Sequence, residues 1–302
     1  MAIDRIIACF PGLDKRNRFI FRLILRRASD IILLLKGEKT MNSRIGISTA
    51  AFYGMLETED AAEAISRVGC GCAEVFLQSE SEYTPEFARE VKKRLGAVRC
   101  TSIHVTATQT ENAFFARSVH QREDARRQLD RTLEAGAILG AERYVYHGRN
   151  TPRLTALPFR PEENARVYEE MSRAAAEHGM VIAWENVFWC QLTSPERVRI
   201  MRGLLPRARF TLDIKQAKWS GFDALAFVPA MGEALCNVHL CDWDADGHLC
   251  LPGQGVFDFR AFFRALDGAG YRGPLILEPY SSLLTGEEDL RQAAAYLSEC
   301  LA

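Results

Sequence analysis

Short runs of apolar and β-branched residues recur from Arg44 onward, and a helical segment separates each run from the next. Runs of this kind are typical of strands that are covered on both faces. Parallel strands need crossover connections, so the alternation predicts a parallel sheet in an α/β fold. The predicted strands are Arg44–Thr49, Cys72–Gln78, Val98–Val105, Arg143–His147, Met180–Glu185, Ala208–Asp213, Leu235–Cys241 and Pro274–Glu278.

The segments between the strands carry helix start and stop signals. Thr84-Pro85-Glu86 and Ser194-Pro195-Glu196 each combine a capping hydroxyl, a proline for the first turn and an acid. Glycines stand where helices should end, at Gly69, Gly96, Gly140 and Gly179. The longest predicted helices are Val119–Leu139 and Pro161–His178, followed by Phe257–Leu266 and Glu287–Leu301.

The number of strand–helix units favours a closed barrel. Eight units in about 260 residues fit a (β/α)₈ TIM barrel better than an open sheet. No GxGxxG motif follows the first strand, which argues against a dinucleotide-binding sheet. We therefore predict a single TIM barrel over residues 41–302, preceded by a short N-terminal extension over residues 1–40.

That extension is rich in Arg and Lys and lacks the strand–helix rhythm. We interpret it as a disordered tail, or as an upstream stretch that is not native to the domain and was joined by an incorrect start site. The alternative is a basic amphipathic segment that touches a membrane or a partner. The first interpretation predicts that a chain starting at Met41 folds and keeps full activity.

The composition limits the classes of function. The formal net charge is −1, which gives no support for a nucleic-acid partner. Nine cysteines without a CxxC pair suit reduced thiols in a cytoplasmic enzyme. No apolar run approaches the roughly 20 residues that span a bilayer, so we expect no membrane segment. Whether copies of the chain form a homo-oligomer stays open.

Ligand-type residues stand at the ends of the last six predicted strands. They are His104, His147, Glu185, Asp213, His239 and Glu278, in strand order. In a TIM barrel, the carboxyl ends of the strands surround the active site. Three carboxylates on one rim would repel each other, and a divalent cation removes that conflict. Oxygen donors with at least one imidazole suit one Mn²⁺, Mg²⁺, Co²⁺ or Zn²⁺ ion, while Cys241 stays open as a further ligand.

Several fragments stand together in a distinctive order: Trp184-Glu185-Asn186, Leu212-Asp213, Val238-His239-Leu240-Cys241-Asp242, Asp246-Gly247-His248 with Gly253-Gln254-Gly255, and Leu277-Glu278-Pro279. With these, residues 44–302 resemble the xylose isomerase-like TIM-barrel superfamily, especially its sugar phosphate isomerase/epimerase group. Similar proteins include ketose 3-epimerases, hydroxypyruvate isomerase, inosose dehydratase and apurinic nucleases of the endonuclease IV type.

The resemblance implies a metal ion held by Glu185, Asp213, His239 and Glu278, with the two glutamates as the acid/base pair. It also implies that His104 and His147 line the substrate pocket, or hold further zinc ions in the nuclease branch. Family members commonly place a histidine where this chain has Gln216. An amide is a poor zinc ligand but can bind a sugar hydroxyl, so this departure argues against the nuclease.

We therefore expect a divalent-metal-dependent sugar or sugar phosphate isomerase/epimerase with a small carbohydrate as its partner. The hypothesis is proton transfer by Glu185 and Glu278 through a metal-stabilised enediolate. The alternatives are an endonuclease IV type nuclease, an inosose-dehydratase-like lyase, and a sugar-binding barrel without activity.

Loop residues add weaker candidates. Trp189, Trp219 and Trp243 follow the fifth, sixth and seventh strands, where they either stack on a sugar or pack within the loops. Arg149 either meets a phosphate or carboxylate or is a solvated loop charge. Asp246 and His248 are candidates for a second metal site or for a lid contact.

Overall fold

Eight parallel strands close into a barrel in the computed structural model, which describes residues 41–150 and 158–302, with residues 107–109 as backbone only. The barrel strands are β1 Ile45–Ser48, β2 Cys72–Leu77, β3 Arg99–Val105, β4 Arg143–Tyr146, β5 Val181–Glu185, β6 Arg209–Asp213, β7 Leu235–Leu240 and β10 Leu275–Leu277. β1 pairs in parallel with both β2 and β10, which closes the cylinder. The predicted (β/α)₈ fold is confirmed, and each strand end lies within one residue of its predicted position.

Helices occupy the connections between the strands and the segment after β10, and most of them form the outer layer. They are α1 Thr58–Val68, α2 Pro85–Leu95, α3 Ala107–Ala113, α4 Val119–Leu139, α5 Pro161–Glu177, α6 Pro195–Leu204, α7 Ile214–Trp219, α8 Ala224–Met231, α9 Phe259–Gly268 and α10 Glu287–Leu301. Thr84 and Ser194 cap α2 and α6 as predicted, accepting hydrogen bonds from the backbone N–H of Phe87 and Arg197 at 3.2 Å. α9 begins two residues later than predicted because Asp258 caps it, accepting from the N–H of Ala261 at 2.8 Å.

Three short helices and one hairpin were not predicted. α3 and α7 follow the carboxyl ends of β3 and β6, and α8 lies in the crossover between α7 and β7. The strands β8 Asp242–Trp243 and β9 Leu249–Cys250 form an antiparallel hairpin directly after β7. α3, α7 and the hairpin enlarge the rim from which the candidate site is built.

Strand alternation separates the barrel interior from the helix layer. Trp184 is fully buried, and its ring lies 5.5 Å from Tyr146 and 5.7 Å from Tyr168 of α5, between centroids. Its neighbour Glu185 therefore faces the opposite way, into the barrel. The apolar side of each strand thus binds the helices, while ligand-type residues occupy the interior at the carboxyl end.

The structure can be compared with the predictions on the N-terminal extension, membrane segments and cysteines only within the described residues. The predicted N-terminal extension, residues 1–40, lies outside the described residues. Among the helices of the described ranges, none has the length and apolar character needed to cross a membrane. All eight cysteines in those ranges are free thiols.

Candidate metal centre and active site

Four ligand-type side chains converge at the carboxyl end of the barrel. Glu185, Asp213, His239 and Glu278 each offer an atom within 4.8 Å of the others, and all four are buried. His239 Nδ1 lies 3.1 Å from Glu185 Oε1, 3.2 Å from Glu278 Oε2 and 4.0 Å from Asp213 Oδ2. The structure thus brings the four predicted metal ligands into one small volume.

The backbone fixes Asp213 in this cluster. Asn186, at the end of β5, accepts a hydrogen bond from the N–H of Asp213 at 2.8 Å and donates one to its carbonyl at 2.9 Å. Asp213 Oδ1 then caps α7 by accepting from the N–H of Gln216 at 2.8 Å. Its other oxygen, Oδ2, is buried and accepts no hydrogen bond. A buried carboxylate oxygen without a hydrogen bond keeps electron pairs that can bind a cation.

The electrostatics of the cluster favour a cation. Burial alone would lower the pKa of His239, but Glu278, Glu74 and Glu185 outweigh it and raise that pKa well above its usual range. The carboxylates thus hold a proton on an imidazole that is shut off from water. Metal ions compete with protons for such nitrogens. The donor set of three carboxylates and one imidazole therefore fits Mn²⁺, Mg²⁺, Co²⁺ or Zn²⁺.

Glu74, in the middle of β2, is a part of the site that the sequence analysis missed. It is fully buried, and its Oε2 accepts from Ser102 Oγ at 2.7 Å and lies 3.0 Å from His239 Nε2. Its Oε1 lies 3.3 Å from His104 Nδ1. A carboxylate on the far nitrogen of a histidine orients the ring and leaves the near nitrogen for a metal. An acid in the centre of an otherwise apolar strand was the signal that could have revealed it.

His104 and His147 connect the two predicted catalytic glutamates. Their Nε2 atoms lie 2.8 Å apart. His104 Nδ1 lies 3.4 Å from Glu278 Oε1, and His147 Nε2 lies 3.3 Å from Glu185 Oε2. His104, His147 and Glu185 also form a second group whose donor atoms lie within 4.8 Å of one another. Both histidines therefore belong to the same cavity as the four predicted ligands.

The two histidines differ in charge. Burial lowers the pKa of His104, but the carboxylates of Glu278 and Glu74, at 3.4 and 3.3 Å from its Nδ1, outweigh it and raise that pKa to about 10. Burial, together with the charge on His104, lowers the pKa of His147 well below its usual range. A charged His104 therefore donates to a neutral His147, which fits the short distance between their nitrogens.

The pKa values of the two predicted catalytic glutamates are shifted in opposite directions. Burial raises the pKa of Glu185 in spite of its contact with His239. Burial acts in the same direction on Glu278, but His239 and Lys215 outweigh it and hold the pKa of Glu278 well below its usual range. Two carboxyl groups with opposed shifts are suited to act as a general acid and a general base.

Lys215 is the second residue that the sequence analysis missed. It is buried at the start of α7, with its Nζ 3.2 Å from Asp213 Oδ2 and 3.3 Å from Glu278 Oε2. The side chain of the neighbouring Gln216 is bound to the loop after β5, where its Oε1 accepts from the N–H of Phe188 at 3.3 Å. No pattern in the sequence distinguished Lys215 from a solvated lysine in a first helical turn.

Glu111 of α3 fixes the loop that carries His147. Its buried carboxylate accepts from the N–H of His147 at 3.1 Å and of Gly148 at 2.9 Å. Burial raises the pKa of Glu111 well above its usual range, although the hydrogen bonds from Gly148 and His147 act to lower it.

Gly148 has φ of 87°, and a Cβ there would approach Trp184 Nε1 to 2.9 Å. The turn after β4 therefore requires glycine.

Aromatic residues surround the mouth. The Trp189 ring lies 5.4 Å from His147, between centroids. Trp219 lies between Phe188 at 5.4 Å and Tyr280 at 6.0 Å. Trp219 is 37% exposed and Tyr280 is 49% exposed, so both present ring surface to solvent. These residues offer an apolar wall beside the carboxylates.

The remaining candidates lie in other surroundings. Trp243 packs at 5.0 Å against Phe257, between ring centroids, with Lys218 Nζ 4.9 Å above its ring. Arg149 pairs with Glu163 at 2.9 Å, and its guanidinium lies 5.4 Å from the ring centroid of Phe115. Trp243 is thus held in the β8–β9 hairpin by packing, and Arg149 already has an acidic partner.

Asp246 and His248 form an exposed group with Asp244 in the loop between β8 and β9. Asp244 Oδ1 accepts from the backbone N–H of Asp246 at 3.0 Å and of His248 at 2.9 Å. These hydrogen bonds shape the turn by themselves. This exposed group is therefore a hydrogen-bonded turn, and it differs in this respect from the buried cluster.

Comparisons with known proteins agree with this architecture. Residues 62–300 match the sequence profile of the xylose isomerase-like TIM barrel family. An uncharacterized protein of Mycobacterium leprae is 28% identical over 269 residues, which cover 79% of this chain and 89% of that protein.

Solved structures show the same fold. A D-psicose 3-epimerase structure has a TM-score of 0.71 at 14% identity and covers 85% of this chain and 99% of its own. The 3-keto-D-glucoside 4-epimerase of E. coli has a TM-score of 0.68 at 19% identity, with the same two coverages of 85% and 99%. The profile match spans most of the barrel, and the chain therefore belongs to the xylose isomerase-like TIM barrel family.

Proposed function

We propose that the protein is a divalent-metal-dependent sugar or sugar phosphate isomerase/epimerase. The observation that carries the proposal is the convergence of Glu185, Asp213, His239 and Glu278 at the carboxyl end of the barrel, within 4.8 Å of one another. The sugar epimerases that share this fold support a carbohydrate as the substrate. The free thiols of the described cysteines support a cytoplasmic location.

The four converging residues would hold one divalent cation. When bound, such an ion acts as a Lewis acid on a carbonyl oxygen and acidifies the neighbouring C–H bond. Glu74 would keep His239 in the orientation that presents Nδ1 to the ion, because it lies 3.0 Å from Nε2. The rest of the chemistry falls to side chains of the chain itself.

Glu185 and Glu278 would carry out the proton transfer. One of them, as a carboxylate, accepts the proton from the carbon next to the substrate carbonyl, and the C–H electron pair forms an enediolate. The other, or the same one, returns a proton to carbon. Return to the opposite face of the same carbon gives an epimer. Return to the former carbonyl carbon, with transfer of the hydroxyl proton from the neighbouring oxygen to the former carbonyl oxygen, gives an isomer.

The other residues of the cavity would bind and orient the sugar. His104, with its raised pKa, and the neutral His147 lie next to the two glutamates, where they can hydrogen-bond substrate oxygens. Trp219 and Tyr280 present exposed ring surface at the mouth, and aromatic faces suit the C–H face of a sugar. A closed apolar wall would also keep water from the enediolate.

The test has two steps. Metal content is measured on the purified protein, and we expect about one divalent ion per chain. Ketoses, polyols and their phosphates are then screened in D₂O, and we expect deuterium to enter the substrate carbon together with formation of the epimer or isomer. Glu278→Gln should abolish exchange, while Glu82→Gln serves as a matched control, because Glu82 is a buried glutamate bound to Thr58 and Gln78 instead of the cluster.

Other outcomes would overturn the proposal. Cleavage of abasic DNA with more than one zinc per chain would indicate the nuclease, for which His104, His147 and Glu185 form a second donor group. Release of water from a polyol would indicate a lyase. Sugar binding without deuterium exchange, in protein loaded with metal, would indicate a barrel without activity.

A further inference from the structure

Lys215 occupies an unusual position for a lysine. Its side chain is buried, and its Nζ contacts Asp213 Oδ2 at 3.2 Å, Glu278 Oε2 at 3.3 Å and the Glu278 carbonyl at 3.2 Å. The ring centroid of Tyr280 lies 5.3 Å from the same nitrogen. Lysine is almost never buried unless it is paired, because its ammonium loses its hydration. These carboxylates therefore supply the interaction that keeps Lys215 inside.

The ammonium uses the same oxygen atoms that a metal ion would use. Asp213 Oδ2 and Glu278 Oε2, which contact Lys215 Nζ, also lie 4.0 and 3.2 Å from His239 Nδ1. The contact with Asp213 Oδ2 lacks hydrogen-bond geometry, so this oxygen keeps a lone pair for another cation. Lys215 and a metal ion would thus share two carboxylates.

We propose that Lys215 is an internal counter-cation that holds Asp213 and Glu278 in place before metal binds and weakens the affinity of the site for the divalent ion. This inference rests on the proposed metal site. Without a metal ion, Lys215 offsets part of the repulsion among the buried carboxylates of the cluster. With a metal ion present, its fixed positive charge repels the ion through a poorly screened interior. Lys215 is a positioning residue, and its effect on the ion has the opposite sign to that of a ligand.

The test is the affinity of the full chain for Mn²⁺, measured by calorimetry after the protein has been stripped with chelator. Lys215→Met should tighten Mn²⁺ binding on the order of tenfold or more, because it removes a unit charge next to the ion. It should also lower the melting temperature of the stripped protein, and Mn²⁺ should raise that temperature more than it does in wild type. General damage to the site would weaken Mn²⁺ binding, so the direction of the change separates the two explanations.

Two variants complete the design. Lys218→Met removes a lysine of the same helix whose Nζ lies over Trp243, and it should leave Mn²⁺ affinity within about twofold of wild type. Lys215→Arg keeps the charge and should not tighten binding. Lys215→Gln, a second neutral variant, replaces Lys215→Met if that protein does not fold.

The outcomes are distinct. Unchanged or weaker Mn²⁺ binding in the neutral variants would overturn the role of Lys215 and leave the metal site intact. Tighter binding in Lys218→Met or Lys215→Arg would also overturn it, because the effect would then not depend on the charge at this position. Absence of Mn²⁺ binding to wild type would overturn the proposed metal site, and the inference on Lys215 would fall with it.

Discussion

Substitution of Glu74 by Gln should weaken metal binding although Glu74 is not one of the four ligands. Glu74 Oε2 accepts from Ser102 Oγ at 2.7 Å and from Asn237 Nδ2 at 3.1 Å, and lies 3.0 Å from His239 Nε2. Its Oε1 faces His104 Nδ1 at 3.3 Å. Every group around the carboxylate is therefore a donor. A glutamine amide must direct its own N–H₂ toward one of these donors and lose that hydrogen bond.

The size of the effect follows from the role of the lost contact. Loss of a partner behind a metal-binding histidine costs 10–100-fold in metal affinity, which corresponds to about 1.4–2.7 kcal/mol. Removing one member of a buried ion pair costs about 3–5 kcal/mol of unfolding free energy. The pKa shift of Glu74 agrees with this position: burial would raise that pKa, but His239 and His104 outweigh it and lower it far below its usual range.

The assay is Mn²⁺ calorimetry together with urea unfolding, with Glu82→Gln as the matched control. Glu82 is also buried, but its Oε2 accepts from Thr58 Oγ1 at 2.9 Å and the Gln78 N–H at 2.8 Å. Glu82→Gln should cost stability and leave metal affinity unchanged. Wild-type affinity in Glu74→Gln, or an equal loss of affinity in both variants, would refute the reasoning.

Four further outcomes are expected. Glu185→Gln and Glu278→Gln should each reduce turnover by orders of magnitude in folded protein, and normal turnover in both would exclude the acid/base mechanism. Because the pKa of His104 is raised to about 10, its contribution to the stability of stripped protein is complete below about pH 6.5 and is lost as the pH rises through about 10, by at most about 1.4 kcal/mol per pH unit. Urea unfolding at pH 6, 8 and 10 should show a larger loss in wild type than in His104→Gln, where His239 still contributes because its pKa is also raised. Parallel curves would contradict this. Trp219→Ala should raise KM several-fold with little change in kcat, since its exposed ring would touch substrate only, and initial-rate kinetics check this. A chain starting at Met41 should match the full chain in melting temperature and kcat/KM, and loss of solubility or activity would show that residues 1–40 matter.

The strands were predictable because each is a short apolar run buried on both faces. Strand β5 shows why the chemistry at strand ends was also predictable. Trp184 faces the helices and Glu185 faces the interior, so an acid directly after a buried aromatic residue indicates the inner rim. The order of such positions along the chain then identifies which residues share the cavity, since each barrel strand adds one side chain to the same rim.

Glu74 and Lys215 escaped prediction for different physical reasons. Glu74 lies within β2 and below the rim, where its partner Ser102 comes from the neighbouring β3 and its partner Asn237 comes from β7, far along the chain. Lys215 lies on α7, a short helix whose existence depends on the Asp213 cap. Its burial results from tertiary packing alone, which local sequence patterns do not encode.

The glycine motif near the hairpin has a structural explanation that the sequence did not provide. Asp242 Oδ1 accepts from the N–H of Trp243 at 2.8 Å and of Phe257 at 3.1 Å. Asp242 Oδ2 accepts from the N–H of Gly253 at 3.3 Å and of Gly255 at 3.2 Å. A Cβ on Gly255 would collide with Asp242 Oδ1. The motif therefore builds the loop after β9 around one carboxylate.

Anomalous diffraction from crystals soaked in Mn²⁺ tests the central claim most directly, because it locates the ion without any assumption about substrate. The proposed site predicts one strong peak bounded by Glu185, Asp213, His239 and Glu278. Absence of density there, with Mn²⁺ bound only at the exposed group of Asp244, Asp246 and His248, would contradict it.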